Sequence, residues 1–146
     1  MKFRNLMVLI IMIFGICVLA VAKEEPKVEW KYIKGGQGTG IVRGGLFDEV
    51  WSTAMDVLMF EKFKPRGCAF KIIHEPIEIE KDTGLISLHG IMGGTRRYAL
   101  RVIIQKKDDH IALKLRCTSA WKKRVIEKFF QLLEQGFKQE TKNSSS

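Results

Sequence analysis

The sequence predicts an α+β fold: a two-layer sandwich in which a four- to five-stranded antiparallel sheet carries two helices on one face, in the order β-α-β-β-β-β-α. Three observations predict it. Over residues 46–63 the apolar side chains recur at helical spacing, so Phe47, Val50, Trp51, Ala54, Met55, Val57 and Leu58 share one arc, with Asp48, Glu49, Ser52 and Asp56 opposite. From residue 69 to 118 the period changes to two, and one register puts the apolar residues of three successive hairpins on the same side. A second helical arc follows: Trp121, Val125, Ile126, Phe129, Leu132, Leu133 and Phe137 together are wide enough to cover a sheet.

The chain opens on a targeting segment, residues 1–22. Lys2 and Arg4 precede an apolar run closed by Ala20-Val21-Ala22, with small residues where a signal peptidase cuts. That run is short for a membrane span, which needs roughly 20 apolar residues. The expectation is therefore cleavage before Lys23 and a periplasmic or secreted mature chain, with a retained inner-membrane anchor as the alternative. Cys17 follows Ile16, where a lipidation signal wants a small residue, so a lipoprotein is not expected. Residues 23–34 read as a leader and first strand, and residues 28–34 join 35–138 in one α+β domain. Residues 139–146 read as a polar, disordered tail.

Formal charge is +9, of which the first 22 residues contribute two. Between Arg96 and Lys128 there are eleven Lys or Arg against three Asp or Glu, so the rest of the mature chain is close to neutral. A basic surface, if one matters, belongs to the C-terminal third, and its sign points to anionic partners.

Each element can be justified in turn. Val28, Trp30 and Tyr32 alternate with Glu29, Lys31 and Lys34, which predicts a first strand. Gly35, Gly36, Gly38, Gly40, Gly44 and Gly45 come next, without the spacing of a phosphate loop or a dinucleotide fingerprint. They read as a turn or a bulged strand through Gly40-Ile41-Val42-Arg43 that feeds the helix. Asp48 and Glu49 suit the positive end of that helix, and Pro65-Arg66-Gly67 end it. The strand over 70–80 is interrupted by Pro76, whose missing N–H predicts an edge or a bulge. Lys81-Asp82-Thr83-Gly84 form a turn that sets Ile79 against Ile86, Ile77 against Leu88 and Glu78 against Ser87. A three-residue loop around Met92-Gly93-Gly94 and a turn at 106–109 then bring Tyr98, Leu100, Val102 and Ile104 to the side of Ile111, Leu113, Leu115 and Cys117. Ser119 is placed to cap a final helix over 120–138.

In this arrangement the chain resembles the small exported domains of bacterial envelope lipoproteins, the BamC-like and related uncharacterised families. Val50-Trp51 opening an amphipathic helix, Asp82-Thr83-Gly84-Leu85-Ile86 at a hairpin and the terminal helix carry the resemblance. It implies a binding or scaffolding role without catalysis, and it carries over no functional residues. The chain departs from the lipoprotein pattern in lacking a lipidation cysteine.

With the helices on one face, the register puts Glu78, Glu80, Ser87, His89, Arg97, Arg101, Lys114 and Arg116 on the other. Arg97, Arg101, Lys114 and Arg116, with His89, form the candidate anion-binding or partner-binding surface, because clustered like charges cost stability unless an anion is present and arginine suits phosphate or carboxylate. Lys122, Lys123 and Arg124, with Ser119, open the last helix against its dipole and are a second candidate for phosphate or sulfate. The partners that fit are an envelope protein, an anionic lipid or an anionic polysaccharide, with membrane association also possible through a retained N-terminal segment. Nucleic acid does not fit an exported chain without an aromatic stacking platform.

No cofactor is expected, and His74, His89 and His110 lack metal-ligand spacing. No catalytic residues are expected. The alternative reading is a small periplasmic hydrolase using His89 with Ser87 or Glu78. Export permits a disulfide between Cys68 and Cys117, the other reading being two buried thiols at strand ends.

Overall fold

The computed structural model describes residues 24–59, 72–92 and 96–144. Among them are six strands and two helices: β1 (Lys27–Ile33), β2 (Gln37–Arg43), α1 (Phe47–Met59), β3 (Ile72–Glu80), β4 (Leu85–Met92), β5 (Arg96–Lys106), β6 (Ile111–Cys117) and α2 (Lys122–Ser144). All six strands form one antiparallel sheet in the order β1-β2-β6-β5-β4-β3. The α+β class is as read from the sequence; the sheet has six strands rather than four or five. The targeting segment 1–22, the Pro65-Arg66-Gly67 stop, Cys68 and the Gly93-Gly94 loop lie outside the described residues.

The additional strand is β2, in the glycine-rich stretch read as a turn or a bulged strand. Its inward residues are Gly38, Gly40 and Val42, all buried, and its outward residues include Gln37, Thr39, Ile41 and Arg43. The period-two alternation is present, but glycine occupies two of the three inward positions and hides it. The reason lies in α2. A Cβ on Gly38 would come 2.4 Å from Ile126 Cγ2, and one on Gly40 would come 2.3 Å from Phe130 Cε1. Helix and strand approach so closely that a methyl group does not fit between them. Phe130, absent from the arc read in the sequence, is fully buried there and stacks on Trp30 of β1 at 5.2 Å between ring centroids and 6° between planes.

Helix α1 buries Val50, Trp51, Thr53, Ala54, Val57 and Leu58 and turns Asp48, Ser52 and Asp56 outward, as its periodicity predicts. Buried Thr53 donates a 2.8 Å hydrogen bond to the Glu49 carbonyl, which satisfies its hydroxyl. Its methyl meets α2 where a Cβ on Gly136 would lie only 2.5 Å away. Helix α2 begins at Lys122 rather than Ala120. Ser119 caps it, accepting from the Trp121 N–H through Oγ (3.1 Å) and from the Lys122 N–H through its carbonyl (3.1 Å). Trp121 therefore precedes the helix and is 40% exposed instead of joining the buried arc. At the other end the helix runs on to Ser144 through the polar stretch read as disordered, supported by a Lys138–Glu134 pair at 3.3 Å and by Thr141 Oγ1 donating to the Phe137 carbonyl.

The meander follows the predicted register. Glu78 opposes Ser87, Ile79 opposes Ile86, and Leu88 opposes Leu100, while Tyr98, Leu100, Val102, Ile104, Ile111, Leu113, Leu115 and Cys117 are all buried. One pairing differs: a bulge between Pro76 and Glu78 sets Pro76 against Leu88 and leaves Ile77 out of the ladder, 54% exposed. Gly84 closes the β3–β4 turn with φ +69° and accepts a 2.8 Å hydrogen bond from the Ile104 N–H; a Cβ there would meet the Ile104 carbonyl oxygen at 1.9 Å. Among the described residues, the buried core runs from Val42 to Phe137, and Val28, Trp30 and Tyr32 of β1 pack against it.

Cys117 ends β6 as a free, buried thiol. Burial pushes it from an ordinary value of 9.0 up to about 11, against smaller opposing effects from a Ser119 backbone hydrogen bond and the nearby Lys122 charge.

Two outcomes are expected. Gly40→Ala forces a methyl against Phe130 and lowers the unfolding free energy by about 1–3 kcal/mol; in a Phe130→Leu background the same change costs less, a coupling that thermal or urea denaturation of the four proteins measures. Cys117 reacts with a thiol reagent at pH 8 only as fast as the chain opens. Because the folded thiol holds its proton more tightly than the unfolded one, its contribution to stability is intact below pH 9 and is lost as pH rises toward 11, which alkaline denaturation of the wild type against Cys117→Ala detects.

Candidate functional site

The face turned away from the helices is organised in cross-strand rows. One row runs Gln37, Arg116, Arg101, Ser87, Glu78 across β2, β6, β5, β4 and β3; the next runs Lys31, Thr39, Lys114, Ile103, Leu85, Glu80 from β1 to β3. Arg101 and Arg116 are thus directly opposite on adjacent strands, which puts their Cβ atoms about 4.5–5.5 Å apart. Lys114 lies two residues along β6 from Arg116, about 6–7 Å away on the same face. All three are exposed.

The pairs that the described acidic residues form lie elsewhere: Lys27–Glu29 at 3.7 Å, Arg43–Asp109 at 3.2 Å, Lys81–Asp48 at 2.7 Å, Lys123–Glu127 at 3.8 Å and Lys138–Glu134 at 3.3 Å. Among the described residues, Arg97, Arg101, Lys114 and Arg116 have no carboxylate partner. The acids on this face, Glu75, Glu78 and Glu80 on β3 and Glu29 on β1, all stand two strands or more from Arg101, Lys114 and Arg116, so the basic patch in the middle of the face has no acid on an adjacent strand.

The patch differs in membership from the one expected. Arg97 lies four residues along β5 from Arg101, about 13 Å away, and opposes Ile91; it stands apart from Arg101, Arg116 and Lys114. Lys31 belongs to the same face, in the Lys114 row. The sequence does not reveal it, because a turn or bulged strand in place of β2 gives β1 no register with β6.

Lys122, Lys123 and Arg124 do not converge. The Lys122 stem lies against Gly36, Lys123 pairs with Glu127, and Arg124 sits 4.7 Å from the centre of the Trp121 ring, a cation–π contact. Each cation is held by a different neighbour.

His89 opposes Ala99 and Glu75, and Ser87 opposes Arg101 and Glu78. No hydrogen bond joins Ser87, His89 and Glu78, and His89 is exposed on an open stretch of sheet. His110 lies in the turn before β6, half-buried, and its Nδ1 meets the Asp109 carboxylate, whose other oxygen accepts from Arg43. That contact with His110, more than Arg43, holds the Asp109 carboxyl below the usual range. Among the described residues no group of three or more His, Cys, Asp or Glu is placed to hold a metal ion, and no helix is long and apolar enough to cross a membrane. A groove of about 210 Å³ lies between the helices, lined by Thr53, Asp56, Leu132, Gln135, Gly136 and Glu140 among others. It holds none of the candidate residues.

No family model matches the chain, and neither does any curated protein. Among solved structures it is similar to CalU16 from Micromonospora echinospora. The crystal structure of that protein is 13% identical, with 80% of this chain and 92% of that chain covered at a TM-score of 0.42. Its solution structure is 15% identical, with 82% and 77% covered at a TM-score of 0.43.

Proposed function

We propose that this chain is an exported, non-enzymatic binding domain of the bacterial cell envelope, and that its outer sheet face holds an anionic partner. One observation carries the reading: Arg101 and Arg116 stand directly opposite each other, beside Lys114, with no carboxylate among them. Like charges in opposed positions destabilise a sheet by a few tenths of a kcal/mol to about 1 kcal/mol. A bound oxyanion reverses that sign, because two guanidinium forks on adjacent strands can each present a pair of N–H donors to one phosphate or carboxylate group. Lys114 adds a mobile point charge at the margin of the patch. The open face suits a headgroup or a repeating polyanion better than a small molecule that needs enclosing walls. Lipid phosphate, acidic polysaccharide and acidic protein share this chemistry.

The reading predicts opposite signs for stability and binding at one residue. Arg116→Gln relieves the opposed charges and raises the unfolding free energy by about 0.5 kcal/mol, while weakening anion binding. Residues 23–146 are expected to bind vesicles containing phosphatidylglycerol, with affinity falling steeply as salt rises. The triple change Arg101→Ala, Lys114→Ala, Arg116→Ala abolishes that binding and Arg97→Ala leaves most of it. Co-sedimentation across a salt series measures both. Retention of binding by the triple variant, or failure of the wild type to bind either these vesicles or a heparin matrix, overturns the proposal.

A further inference from the structure

The two edges of the sheet are unlike. At the β3 edge Pro76 has no N–H to offer, a bulge breaks the ladder between Pro76 and Glu78, and Glu75, Glu78 and Glu80 are exposed. These are the usual means of preventing a strand edge from pairing with another chain. At the β1 edge the proline and the bulge are missing, and its exposed charges, Lys27, Glu29 and Lys31, are of both signs. The register of β1 with β2 is unbroken from Lys27↔Arg43 to Ile33↔Gln37, the strand contains no proline, and β2 is its one neighbour among the described residues. Among the described residues, this seven-residue strand has one side of its backbone without a pairing strand.

The sequence of β1 identifies its complement. The strand reads Lys27-Val28-Glu29-Trp30-Lys31-Tyr32-Ile33, and Trp30 is its midpoint. Antiparallel pairing of two copies over the whole strand sets Trp30 against the second copy's Trp30. Glu29 then opposes the second copy's Lys31, and Lys31 its Glu29, both on the outer face. Val28 opposes Tyr32 on the inner face. Moving the centre to Glu29 opposes Glu29 to itself and Lys27 to Lys31, and moving it to Lys31 opposes Lys31 to itself. The register that uses the full strand is the one with matched charges, and opposite charges in facing positions favour a sheet pairing.

The inner face supports the same arrangement. Phe130 lies over Gly40, the partner of Trp30 in β2, and stacks on the indole from that side. Trp30 is only half-buried on this edge strand. A second Trp30 arriving across that edge continues the stack, in which offset aromatic pairs contribute beyond their buried area.

We propose that β1 is a homotypic docking strand, through which two copies of this chain pair antiparallel about Trp30 to form one continuous sheet. The two-fold axis is perpendicular to the sheet, so both outer faces remain on the same side. The proposal rests on the β1 edge and is independent of the anion-binding reading.

Charge exchange tests it. Sedimentation equilibrium of the protein as purified from cells is expected to show a reversible monomer–dimer equilibrium. Glu29→Lys opposes lysine to Lys31 at two symmetric places and weakens the dimer about ten-fold, and Lys31→Glu does the same with glutamate. The double variant Glu29→Lys, Lys31→Glu restores the matched pairs and regains most of the wild-type affinity. In the full chain expressed in cells, Glu29→Cys and Lys31→Cys chains produced together form an oxidised cross-link above the parent background, whereas either alone does not. A chain that stays monomeric at every concentration, a dimer indifferent to both reversals, or a double variant no better than the single ones overturns the proposal.

Discussion

The close seating of α2 on β2 is the contact on which the rest of the structure depends. Gly38 and Gly40 open a floor in the sheet, Ile126 and Phe130 occupy it, and Trp30 closes its outer side. This contact ties the N-terminal hairpin to the meander through the C-terminal helix, so elements from both ends of the chain share one core. It also fixes where α1 can lie, since the helices touch at Thr53 and Gly136 with no room for a side chain on the glycine. Burial of Phe129, Phe130, Leu133 and Phe137 at 0–1% exposure contributes roughly 1.5–3 kcal/mol each. That exceeds what the opposed arginines cost on the other face by several-fold. The core can therefore carry an electrostatically unfavourable surface.

The parts of the fold legible in the sequence were those where apolar residues mark the inward positions. The α1 arc, the meander from Leu85 to Cys117 and most of the α2 arc are of this kind, and Pro76 announced both the edge and the bulge found at β3. The illegible strand was β2, whose inward positions are mostly glycine because a helix fills the space that side chains would otherwise occupy. Hydrophobic periodicity measures what a strand supplies to a core, and β2 supplies absence. The end of α2 was lost for a related reason: beyond Phe137 the helix has no buried stripe and persists on local pairs such as Lys138–Glu134.

The candidate site inherits these limits. Arg101, Lys114 and Arg116 were found because the β5–β6 register could be read from the apolar residues between them. Lys31 is hidden with β2, and Arg97 shares the facing of Arg101 while standing four residues along the strand, a separation that alternation alone does not show. The three basic residues opening α2 looked like a cluster in one dimension. In space Trp121, Glu127 and Gly36 draw them apart.

Gly84 has a consequence for how the sheet is assembled. The Lys81–Gly84 turn is well marked locally, yet its last residue is bound to Ile104 of β5 through a backbone hydrogen bond at a place too tight for any side chain. The first hairpin of the meander thus holds a bond that it cannot make until a strand some twenty residues downstream has arrived. Such a turn acts as a latch: it extends the β4–β5 ladder by one rung and fastens the corner of the hairpin to β5. The cooperative unit is then the three-stranded sheet, and loosening β5 at Ile104 releases the hairpin from its far end.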